Sequence, residues 1–69
     1  MNWDRIKGNW HQFRGNVKTQ FGKLTDDDLA QINGQQEVLL GRLQERYGYT
    51  KDVAQQKVDE FLNNIKSPV

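Results

Sequence analysis

Apolar residues in the first third of the chain recur every three or four positions: Trp3, Ile6, Trp10, Phe13, Val17, Phe21 and Leu24. At about 100° per residue they fall in one stripe, which predicts an amphipathic helix from about Asn2 to Phe21. Asn2 stands at its N-cap, Asp4 lies in the first turn where the helix dipole favours an acid, and Gly22 fits the C′ position at which a left-handed residue closes a helix. A second, short helix begins at Thr25. Thr25 and Asp28 have capping-box spacing with Asp in place of Glu, Leu24 and Leu29 take the staple positions, and Asn33-Gly34 ends the segment. A third helix runs from about Gln35 to Tyr47 on the stripe Gln36, Leu39, Leu43 and Tyr47, with Leu40 beside it and Gly48 closing it. Arg42 and Arg46 are assigned elsewhere on its wheel. A fourth starts behind Thr50, with Asp52 in its first turn and an arc of Ala54, Val58, Phe61 and Ile65 flanked by Val53 and Leu62. No segment alternates as a strand does. The pattern predicts an all-α fold of four helices joined by short turns.

The helices echo one another. Ile6 to Gly22 and Ile32 to Gly48 align without a gap at an offset of 26, pairing Gly8/Gly34, Phe13/Leu39, Gly15/Gly41, Val17/Leu43, Phe21/Tyr47 and Gly22/Gly48. Asp28-Leu29-Ala30-Gln31 answers Asp52-Val53-Ala54-Gln55 at an offset of 24. One helical hairpin used twice accounts for this, and so does chance likeness between amphipathic helices. The first predicts a small orthogonal bundle of two crossed αα-hairpins around one core. The seven-spaced glycines share one side of each helix, roughly opposite the apolar stripe. Interior glycine costs a helix up to about 1 kcal/mol. The glycines therefore mark either weak helices with a solvated face or a smooth face that accepts a close neighbour.

Sixty-nine residues make one domain, read as residues 1–66 with 67–69 a frayed tail behind Pro68. The composition is wet, with 35% apolar and 28% charged residues and a mean hydropathy of −0.94. Seven aromatic residues are still enough to seed a core. The chain has no cysteine and one histidine, so thiolate and paired-histidine metal sites are excluded. The longest apolar run, Val38-Leu39-Leu40, is far short of a membrane span of about 20 residues. A cytoplasmic, monomeric protein without a cofactor is expected. Charge is unevenly placed. Residues 1–24 carry Arg5, Lys7, Arg14, Lys18 and Lys23 against Asp4 alone, whereas residues 25–69 carry five basic and eight acidic side chains. A basic half beside an acidic half marks either a face for nucleic acid or anionic membrane, or two halves that attract each other.

Candidate chemistry is sparse. Asp26-Asp27-Asp28 lacks the spacing of a calcium loop and suits capping and dipole compensation. His11 has no nucleophile or partner marked for it. Arg5, Lys7, Arg14, Lys18 and Lys23 interleave with Trp3, Trp10, Phe13 and Phe21, a mix that holds phosphates and stacks bases or lies on anionic lipid. Because the aromatics share one stripe, a core role is the plainer reading, and the five basic residues stand as a candidate binding face. No catalytic, cofactor-binding or metal residue is assigned, and no enzyme is expected.

The run GNWHQFRGNVKTQFGKLTDDDL (Gly8 to Leu29), followed by INGQQEVLLGRLQERYGY (Ile32 to Tyr49), resembles the CsbD-like family of small bacterial proteins. Its most specific pieces are Gly22 to Asp28 and Gln44 to Tyr49. The resemblance implies a bundle of two crossed helical hairpins and a hydrophilic, cytoplasmic protein accumulated under general stress, with no assigned enzymatic activity. It implies no catalytic or ligand-binding residues to carry over. The function expected is that of a non-enzymatic stress-response protein acting through abundance or a protein partner. The alternative is weak binding to nucleic acid or an anionic membrane through the first helix.

Overall fold

The stripe from Trp3 to Phe21 does not build one helix. In the computed structural model, which describes residues 3–66 and the backbone alone of Lys66, the chain breaks at Asn9 into α1 (Trp3–Gly8) and α2 (Trp10–Gln20). Gly8 and Asn9 are both weak helix formers, so a break between these two segments is cheap. Three helices follow, α3 (Asp26–Ile32), α4 (Gln36–Tyr47) and α5 (Lys51–Lys66). The described residues are all helix and turn, five helices in place of the four expected. Asn2 and the tail 67–69 lie outside them.

The start of α3 follows its sequence. Thr25 is extended, its Oγ1 accepts from Asp28 N at 3.1 Å, and the Asp28 carboxylate accepts from Thr25 N at 3.0 Å, a complete capping box. Leu24 and Leu29, the staple pair, are both buried. Asn33 ends α3 in the left-handed region at φ 44°, and Gly48 ends α4 at φ 73°. Val53 N donates to Thr50 Oγ1 at the start of α5.

The expected role of Gly22 does not hold. Phe21 is the C-cap of α2 at φ −117°, and Gly22 is not among the residues with positive φ. Leu24 N bonds to Phe21 O, so the chain turns without a left-handed closure. The aligned glycines therefore differ in use. Gly48 is left-handed where Gly22 is not. Gly34 is buried at φ 85° while Gly8 is exposed at the end of α1.

One apolar cluster takes side chains from every helix: Ile6, Val17, Leu29, Ile32, Leu39, Leu43, Ala54 and Val58 are all 0% exposed. Phe21 and Phe61 pack tilted with centroids 5.9 Å apart. Trp3, Trp10, Phe13, Tyr47 and Ile65 border the cluster half-buried. The stripes read from the sequence thus face the core. The radius of gyration is 11.1 Å, close to the ~11 Å of a compact chain this long.

Candidate functional site

The five basic residues proposed as a binding face are used in different ways. Lys18 Nζ donates to Asp26 Oδ1 at 2.7 Å, bridging the basic and acidic halves. That bond, helped by Arg14, holds the Asp26 carboxyl below its ordinary value. Lys23 Nζ lies 5.2 Å from the centre of the Tyr47 ring. Arg5 and Lys7 are exposed on α1. Lys7 also borders a shallow cleft of about 500 Å³ with Trp3, Asp4, Gln36 and Glu37. The face is thus split: Lys18, Arg14 and Lys23 lie on or just beyond α2, and Arg5 and Lys7 lie on α1, before the Asn9 break. His11 is exposed.

The three aspartates also part company. Asp26 meets Lys18 and Asp27 is exposed. Asp28 is 2% exposed and is the buried charged residue among those described. Its Oδ2 accepts from Arg46 Nε at 2.9 Å and its Oδ1 from Arg46 Nη2 at 3.0 Å, a two-pronged pair of the kind only a guanidinium forms. Arg42 Nε stands 3.9 Å from the same carboxylate. Arg42 also bonds Glu45 at 3.0 Å and Gln31 Oε1. The Arg46 bonds, then the Thr25 N–H, outweigh burial and hold the Asp28 carboxyl at about 2. In return Asp28 raises the pKa of Arg46. Reading Asp28 as a cap was right but incomplete, and Arg46 was missed. Its signal was present, because Leu39, Leu43 and Arg46 continue the 4-3 spacing of the buried face.

Next to Arg46 in the chain, Tyr47 stacks on Tyr49 with centroids 5.0 Å apart and planes 9° from parallel. The Tyr47 hydroxyl accepts from Lys23 N at 3.2 Å. Lys23 and Tyr47, together with Asp28 and Arg46, therefore join residues 22–28 to residues 44–49. The arrangement binds two segments of chain with charge-assisted and aromatic contacts. Each side-chain nitrogen and oxygen buried among the described residues has a partner.

The CsbD-like family model matches residues 4–56. The chain belongs to the CsbD-like family. A UPF0337 protein of Rhodopseudomonas palustris is 54% identical over 66 residues, spanning 96% of this chain and all of that one. The UPF0337 protein YjbJ of Escherichia coli K12 is 57% identical over 61 residues, 88% of each chain. A UPF0337 protein of Pectobacterium atrosepticum is 52% identical over 66 residues, 96% of each. The two pieces that carry the family resemblance, Gly22 to Asp28 and Gln44 to Tyr49, are the two that bond each other. Among the described residues, no helix is long and apolar enough to cross a membrane.

Proposed function

We propose that this is a small, hydrophilic, non-enzymatic stress-response protein of the cytoplasm that works through its abundance or through a protein partner. The observation that carries the reading is the junction of the two family-typical segments. Asp28 pairs there with Arg46, and Lys23 with Tyr47, so the chemistry of these four is spent on one another. The Lys18–Asp26 bridge supports the same view, because it directs part of the charge asymmetry inward. The architecture suited to this role is a pair of αα-hairpins crossed over the shared core, residues 3–32 forming one and residues 36–66 the other.

A second reading rests on Arg5 and Lys7, exposed on α1 beside the half-buried Trp3 and Trp10. It makes the first two helices a weak face for nucleic acid or anionic membrane. Amide NMR spectra recorded over a salt series, with a short mixed DNA duplex or with anionic vesicles, separate the two. The first reading expects no shifts at physiological salt, since few net positive charges bind phosphate weakly once counterions compete. Shifts confined to residues 5–23 that survive such salt would install the second.

A further inference from the structure

The break at Asn9 is one residue wide. Asn9 has φ −128° and ψ 38°, which puts φ about 65° and ψ about 80° from their helical values. Two bonds of an unbroken helix flank the break, each shared with an i→i−3 bond: Asn9 N donates to Arg5 O and to Ile6 O, both at 3.2 Å, and Asn9 O accepts from Phe13 N at 3.1 Å and from Gln12 N at 2.9 Å. The apolar stripe also passes from Ile6 to Trp10 without losing its spacing. Rotation at this one residue would turn α1 and α2 into a single helix of about 27 Å, against a longest dimension of 31 Å for the domain.

What keeps the chain bent is a socket. Gly34 is buried at φ 85°, and the elbow sits directly on it. A Cβ there would lie 3.3 Å from Lys7 O and 3.4 Å from Trp10 Cβ. Trp3 Nε1 donates to Gly34 O at 2.8 Å, and Ile6 is wholly buried. Straightening at Asn9 would swing Trp3 away from its own Gly34 and Ile6 out of its own core, and leave a socket shaped for α1.

We propose that α1 exchanges between two copies of this chain, each straightened at Asn9, to give a domain-swapped dimer in which Trp3 of one copy docks at Gly34 of the other and Ile6 enters that copy's core. The occupant is fixed by the socket itself, whose contacts are those α1 makes in the monomer. Such exchange needs no new interface, and a short hinge that opposes the local pattern favours it. Because docking within one chain competes at a millimolar effective concentration, the dimer forms only when the protein is very abundant. The inference rests on the hinge and socket alone and is independent of the functional reading above.

The test is light scattering on the full chain from about 10 µM to about 2 mM, for the natural sequence and for the double variant Gly8→Ala/Asn9→Ala. The double variant favours the continuous helix in both chains and is expected to dimerise at a concentration at least about tenfold lower. In dimer refolded from equal amounts of labelled and unlabelled chains, isotope-filtered NMR should find the Trp3 indole N–H of one chain beside Gly34 of the other. Folded monomer throughout for both proteins, or a dimer whose Trp3–Gly34 contact stays within each chain, would overturn the proposal.

Discussion

Asp28 answers two needs with one carboxylate. It closes the capping box of α3 and receives Arg46 from α4, so its removal unmakes a helix start and a link between helices. Asp28→Ala should cost about 2–3 kcal/mol, the sum of a lost cap and lost charge-assisted bonds, measured as the shift in urea midpoint at constant slope. The same residue sets an acid limit. Its folded pKa of about 2 lies below the ordinary 3.8, so the folded chain holds this proton less tightly than the unfolded one. The resulting stabilisation, roughly 2 kcal/mol, is complete above about pH 5 and drains away as pH falls toward 2. Arg46→Ala removes the main cause of that depression. It should lower stability at neutral pH and flatten the acid limb of the urea midpoint against pH. An acid limb unchanged in Arg46→Ala would mean that the pair does not set Asp28's titration. Lys18→Ala serves as contrast: its bridge to Asp26 is solvated, and its loss should leave the urea midpoint almost unchanged.

At the scale of the element, the glycines should divide by sign. Gly15 and Gly41 sit inside α2 and α4, exposed, with open space where a Cβ would go. Ala at either should raise stability by about 0.5–1 kcal/mol through helix propensity and a less flexible unfolded chain. Gly34 is the opposite case, since positive φ and the Lys7 carbonyl both resist a methyl group. Gly34→Ala should cost about 1–2 kcal/mol. Thermal unfolding of the three variants checks this, and a destabilised Gly41→Ala would show that the open face of α4 is covered in solution. The same contrast explains what was legible in advance. Thr25, Asn33, Gly48 and Thr50 act through neighbours within a turn, so spacing alone located the ends of α3 and α4 and the start of α5. The break at Asn9 depends on Trp3 reaching a carbonyl 31 residues away. Within its own segment the stripe is unbroken, and the weak helix formers Gly8 and Asn9 are the one local hint of the bend. The ion pair of Asp28 was legible only in part, since Arg46 falls on the 4-3 spacing of Leu39 and Leu43. Its partner lies 18 residues on, in a helix where arginine on the buried edge reads as solvated until the packing is known.

At the scale of the whole molecule, one core draws on all five helices, but the shares are unequal. Ile6 is the single buried residue of α1, whereas α4 buries Leu39, Leu40 and Leu43. The Trp3–Gly34 bond and the elbow resting on Gly34 also hold α1. Protein stability is local as well as global, and segments with few buried contacts open before the core does. Amides of Ile6 to Asn9 should therefore exchange with solvent at least about tenfold faster than those of Leu40 to Leu43 or Phe61 and Leu62, by a local opening that leaves α4 and α5 folded. Native-state hydrogen exchange at low denaturant reads this directly. Trp3→Phe, which keeps the ring but loses the Nε1 donor, should speed exchange in α1 while leaving the slowest core amides almost unchanged. If α1 amides instead exchange only with global unfolding, then α1 is bound into the cooperative unit and its single buried isoleucine does far more than its area suggests. If they exchange early, the molecule is a stable core of α2 to α5 carrying a first helix that the chain can release.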